Sequence, residues 1–179
     1  RWPLSTEVYN GQDYTEGVDV SWWKSHLRPT SFFAFDTEED FFGGYDHGRK
    51  AGVVFVGDHH VVPGQKLWTW GTGSEGRTWE KILTDADGPY LELMIGAWSD
   101  NQPDYSWIQP GEKREVTQYW YPFRGLAGLK NATREAACNL AVEAGRARIA
   151  FHATSDRKNV RCVLKSGGQT LFEDTFDIG

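Results

Sequence analysis

Much of what this sequence lacks narrows its roles. No run approaches the ~20 consecutive apolar residues of a membrane-spanning helix, so no membrane partner is expected. Basic residues are outnumbered, 19 Lys and Arg against 25 Asp and Glu, for a formal net charge of -6. With no basic stripe, nucleic acid is not an expected partner either. The chain has 2 cysteines, Cys138 and Cys162. Both fall at apolar positions of alternating segments, so buried free thiols are expected and a disulfide is the lesser reading. Neither has histidines at zinc-ligand spacing. A glycine-rich nucleotide motif, a repeat of about 20–50 residues, a Gly-x-Ser-x-Gly elbow and an EF-hand loop are all missing. The chain begins at Arg1 without a basic and apolar leader, as expected of a processed chain, a fragment or an excised piece.

What the sequence does hold is rings and alternation. Its 179 residues suffice for one large or two small domains. Aromatics make up 15% of them, including 9 Trp. Such rings either line a carbohydrate groove, where sugar C–H faces stack on them, or pack a core. Most lie between residues 31 and 123, whereas 131–179 holds only Phe151, Phe172 and Phe176. This shift sets the expected division: an irregular segment over 1–30, a β portion over 31–124 and a small β unit over 131–179. Trp2, Trp22 and Trp23 are expected to anchor the first segment to a surface.

An all-β fold follows from period-two patterning. Strands are expected over Ser31–Phe35, Gly52–Val56, Lys66–Trp70, Leu91–Ile95 and Val116–Trp120. One short helix is expected over Arg77–Thr84, where Trp79, Ile82 and Leu83 have helical spacing. In the last unit Cys138, Leu140 and Val142 point one way. Ala147, Ile149, Phe151 and Ala153 repeat the pattern, then Val160, Cys162 and Leu164, then Phe172, Phe176 and Ile178. This predicts four short strands in a sandwich-like unit with a structural or docking role.

The residues suited to chemistry cluster in Gly88–Phe123. Glu92 alternates with Leu91 and Leu93, so it takes the opposite face of its strand. There it is either an ordinary surface glutamate or, beside tryptophans on a concave face, a general acid–base. Asp100, Asn101, Gln102 and Asp104 lie among Trp98, Tyr105 and Trp107, in a loop that either binds hydroxyls or is a solvated turn. Asp46, His47 and Arg49 follow Gly43-Gly44, whose lack of Cβ permits close approach and positive φ; they form either a hydroxyl-binding cluster or a local ion pair. In Asp58-His59-His60 at a strand end, alternation puts the two histidines on opposite faces. No shared metal is therefore expected, and one histidine is a candidate acid or hydroxyl ligand.

Leu91-Glu92, Gln102-Pro103-Asp104, Gln109-Pro110-Gly111-Glu112 and Tyr119–Phe123 together resemble the end of the galactose mutarotase-like (aldose 1-epimerase) fold. Residues from about Phe32 to Phe123 more closely resemble the DUF5107 family, bacterial proteins often joined to tetratricopeptide repeats. The strings that carry this are Asp40–His47, Pro63–Gly71, Leu83-Thr84-Asp85 and Gly88–Leu93. The resemblance implies an antiparallel β-supersandwich, carbohydrate as the substrate class, and Glu92 as the catalytic base. The mutarotase histidine, in a His-x-x-x-Asn context, has no match here, and His60 is its stand-in.

The expected function is a domain that processes or binds sugars. Its catalytic candidates are Glu92, His60 and Asp46. Its substrate-binding candidates are His47, Arg49, Trp68, Trp70, Trp98, Asp100, Gln102 and Trp107. No metal and no cofactor are expected. A partner chain or homodimer is expected, because half a supersandwich exposes sheet edges. The alternatives are a non-catalytic carbohydrate-binding module and a scaffold domain.

Overall fold

The computed structural model describes residues 3–34, 37–99 and 105–178. The first strands are short: β1 (Leu4–Ser5), β2 (Val8–Tyr9), β3 (Gln12–Asp13) and β4 (Val18–Asp19). Longer strands follow: β5 (Thr30–Phe33), β6 (Phe41–Asp46), β7 (Ala51–Val56) and β8 (Lys66–Thr69). The helix α1 (Ser74–Leu83) separates these from β9 (Leu91–Met94), β10 (Tyr119–Arg124) and β11 (Asn131–Ala132). The chain closes with β12 (Ala136–Glu143), β13 (Arg146–Ala153), β14 (Arg157–Ser166) and β15 (Gln169–Ile178). The fold is all-β, in several antiparallel sheets. Among the described residues no helix is long and apolar enough to cross a membrane.

Packing divides the chain into two compact units, differently from the composition-based division. One holds residues 1–38 and 58–116, the other 39–57 and 117–179. Residues 1–30 are thus no detached segment, and β6 and β7 pack with the last strands.

The first unit is built on the sheet β5–β8–β9. Side chains on a strand point alternately to the two faces, so partners across the ladder share a face. Thr30 pairs with Thr69 and Phe32 with Leu67. On that face Thr30, Leu67 and Thr69 are buried. Its cover comes from the N-terminal segment: Tyr9, Tyr14 and His26 meet the Phe32 ring at centroid distances of 5.2, 5.9 and 5.4 Å. His26 is wholly buried, and its Nε2 lies 2.9 Å from the Val20 carbonyl. Only a ring N–H can meet that oxygen, so Nδ1 accepts from the Tyr14 hydroxyl at 3.2 Å. The opposite face of the sheet carries Lys66 and Trp68, both half-buried, with Ser31 buried beside Trp68.

Helix α1 starts three residues earlier than its apolar spacing suggested and ends one residue earlier. The side it buries runs through Gly76, with Trp79 half-buried, while Ile82 is 62% exposed and Leu83 44%. Glycine decides this. A Cβ on Gly76 would lie 2.0 Å from the Gly71 carbonyl oxygen, so backbone packs on backbone there.

The second unit has its core in Val54, Phe123, Leu126, Ala132 and Ala137. The sheet β10–β7–β6 supplies the first two residues. On β12 the buried positions are Ala137 and Asn139, whose Nδ2 donates to the Leu126 carbonyl at 2.9 Å. The alternate face, Cys138, Leu140 and Val142, is therefore not the core face: Leu140 is 39% exposed and Val142 69%. Across the ladder from that face, Ala147, Ile149 and Phe151 of β13 join β14 and β15 around an open groove of about 460 Å³. It is lined by Ile149, Phe151, Cys162, Leu164, Phe172 and Phe176. Both cysteines are free thiols, with Cys162 buried and Cys138 half-buried. Burial pushes the Cys138 thiol up. Strand β10 begins three residues later than the apolar pattern suggested and continues through Pro122.

Candidate functional site

Strands β8 and β9 build the open face of the first unit. Trp68 stands directly across the ladder from Glu92, so indole and carboxylate share that face. Lys66 pairs with Met94 two residues along, and Ser31 of β5 lies across from Trp68 on its other side. Tyr90, two residues before Glu92, donates its phenolic hydrogen to Glu92 Oε1 at 2.9 Å. That bond, more than burial, raises the Tyr90 pKa above its ordinary value. Glu92 is half-buried, and so are Trp68 and Trp70.

The tryptophans form a continuous wall. Trp68 and Trp70 meet edge to face, with centroids 4.6 Å apart and planes at 85°. Trp70 then stacks on Trp79 of α1 at 4.6 Å and 12°. One face of Trp70 is thus taken by the helix, and the ring is held rigid. An edge-to-face and stacked triad is a favourable aromatic arrangement, worth about 1 kcal/mol per pair beyond area burial. Trp98 is half-buried, with the Arg114 guanidinium 5.0 Å from its ring centroid. Trp107 is 78% exposed. A wall of rings beside a carboxylate and a phenol can stack on the apolar face of a ring and bond its hydroxyls.

The other candidates stand on other elements. Asp100 and Gln102, like Asn101 and Asp104, lie outside the described residues. Asp46, His47 and Arg49 belong to the other compact unit. There the Asp46 carboxylate is engaged in closing the β6–β7 turn. Its Oδ1 accepts from the backbone N–H of Gly48 at 2.7 Å and of Arg49 at 3.0 Å. The Arg49 guanidinium lies 3.8 Å from Oδ2, at the surface. The His47 ring meets Tyr45 edge-on at 5.0 Å.

His60 does not stand on the Glu92 strand pair. It lies in an exposed turn after β7, with Nδ1 3.0 Å from Asp58 Oδ1. His59 and His60 are not on opposite faces: the chain turns at Asp58, alternation ends, and the two rings lie 3.8 Å apart. Strand alternation ends with β7 at Val56, three residues before His59. Sequence reasoning also passed over Tyr90 and Trp79. Tyr90 was legible as the i−2 neighbour of Glu92 on one face, whereas Trp79 needed the helix position that Gly76 fixes.

The family described as a domain of unknown function, DUF5107, matches residues 4–123. The chain belongs to the DUF5107 family. Residues 131–179 match the second domain of YphG-like proteins. The DUF5107 match contains the whole Trp68–Tyr90–Glu92 face. It also crosses the packing division, because β6, β7 and β10 fall within it. Among solved structures the chain is similar to a TPR-domain containing protein from Parabacteroides distasonis, at 27% identity and a TM-score of 0.48. The match covers 63% of this chain and 18% of that protein, so the chain spans less than a fifth of that protein's length.

Proposed function

We propose that the β8–β9 face of this DUF5107 chain binds sugars and acts on them, with Glu92 as the proton-transferring group. The observation that carries this is the placement of Glu92 opposite Trp68, within 2.9 Å of the Tyr90 hydroxyl, on the half-open face of the sheet. A sugar ring presents an apolar face to an indole and hydroxyls at its rim. Trp68 offers the first contact, and Glu92 accepts a hydroxyl hydrogen beside it. Tyr90 orients the carboxylate by holding one oxygen, leaving Oε2 for a ligand. The resemblance of Leu91-Glu92 and the residues after it to the galactose mutarotase-like fold supports the same role. In that role Glu92 takes the anomeric hydroxyl proton. A β-supersandwich completed by sequence or a partner chain beyond this one accords with that resemblance.

The test is Glu92→Gln, followed by anomer interconversion and glycoside hydrolysis over a sugar panel, with binding measured alongside. Loss of one acid–base group should lower turnover by about a hundred- to ten-thousand-fold while largely sparing binding. Turnover unchanged in Glu92→Gln contradicts the assignment. Binding of sugars by a wild-type chain with no turnover replaces it with the second reading, a carbohydrate-binding module. That reading rests on the same tryptophan wall, which needs no proton transfer to hold a ring.

A further inference from the structure

We propose that the turn Asp58-His59-His60 is a binding site for a divalent transition-metal ion, zinc or a first-row neighbour. One ligand atom from each of the three side chains lies within 4.8 Å of the other two. A tetrahedral centre with bonds of about 2.0–2.2 Å spaces its ligand atoms by roughly 3.3 Å, so small side-chain rotations close the set. The backbone is already bent for it. The Asp58 carbonyl accepts from Val61 N–H at 3.0 Å and Val62 N–H at 2.9 Å, and Val62 is buried as the anchor. Asp58 Oδ1 accepts from the His60 backbone N–H at 2.9 Å, which fixes the carboxylate toward the rings.

Donor chemistry selects the metal class. Two imidazoles and one carboxylate suit zinc, copper or nickel, whereas calcium and magnesium take oxygen sets. The two imidazole rings, with centroids 3.8 Å apart, bring two nitrogen donors to one place. The three residues are consecutive, so they occupy one side of the ion. The remaining positions stay open to water or to an incoming group. Asp58 side-chain exposure of 61% and His60 of 78% leave the ion free to enter. This site lies in the turn after β7, not on the β8–β9 strand pair, and does not rest on the sugar proposal.

The experiment is titration of the whole chain, stripped with chelator, with zinc chloride in competition with a chromophoric chelator. Wild type should bind one zinc ion per chain at this turn. The double variant His59→Gln/His60→Gln should bind at least about tenfold more weakly. In this turn His60 is exposed and His59 half-buried, and circular dichroism checks that the double variant keeps its fold. His152→Gln, in the other unit, should leave zinc binding unchanged. A folded wild-type chain that takes up no zinc at sub-millimolar concentration overturns the proposal. Zinc affinity undiminished in the double variant, or lost in His152→Gln, overturns it equally.

Discussion

His26 shows how much one buried side chain holds in place. Burial lowers its pKa, opposed by the bond to the Val20 carbonyl. The folded chain thus binds the proton less readily than the unfolded one. Its contribution to stability is complete above the unfolded imidazole value, about 6.5, and is lost as pH falls through the lower folded value. Wild-type melting temperature should therefore drop between pH 7 and pH 5, and His26→Gln should flatten that slope. At neutral pH His26→Ala should cost about 2–3 kcal/mol in chemical denaturation, since it empties a packed site and orphans Tyr14 and Val20 groups. Tyr90 offers a second residue-scale check, on the candidate site itself. Because Glu92 raises its pKa, its phenol should ionise later than an ordinary tyrosine in ultraviolet titration. In Glu92→Gln it should ionise earlier than in wild type.

At the scale of elements, the docking of α1 depends on a glycine without a side chain. Gly76→Ala places a methyl group 2.0 Å from the Gly71 carbonyl oxygen. The helix must then shift, and overpacking of this kind costs about 1–3 kcal/mol. It should also separate Trp79 from Trp70, seen as a change in the near-ultraviolet signal of the stacked pair. Strands were legible where alternation was clean. Lys66–Thr69 and the last four strands read directly, because one face is apolar and the turns carry Ser, Asp or Gly. Strand β6 carries no clean strand pattern, since Gly43 and Gly44 weaken it. The reason for Gly43 is tertiary: a Cβ there would meet Leu129 at 2.7 Å and the Val53 carbonyl oxygen at 2.8 Å. The buried side of β12 was also illegible. Ala137 and Asn139 look like the polar face until Leu126 is known to accept from Asn139.

At the scale of the whole molecule, the family matches and the packing divide the chain at different places. The matches break between residues 123 and 131, whereas the core of the second unit runs across that gap. Val54, Phe123 and Leu126 pack with Ala132 and Ala137 in one cluster. A piece holding residues 131–179 therefore loses the larger half of its core. Expressed by itself, it should show poor amide dispersion in NMR and a broad melt, whereas the full chain should melt cooperatively. The Glu92 face is a property of the other unit. There the N-terminal segment covers Phe32 and Leu67 and leaves Trp68, Tyr90 and Glu92 open. The face that Glu92 takes was legible from strand parity, whereas its neighbour Trp68 follows from the β8–β9 register. The placement of Asp46 in the other unit was not, because only the folded chain shows which loops share a unit.

The most direct test of the sugar-binding face is an NMR titration of the full chain with a panel of mono- and oligosaccharides, observing tryptophan indole N–H signals. With a sugar that binds, the largest shifts should fall on Trp68 and Trp70, and Trp68→Ala should abolish them while the fold persists. Sugar-induced shifts that leave Trp68 and Trp70 unmoved, or no shift with any sugar at millimolar concentration, would contradict the account.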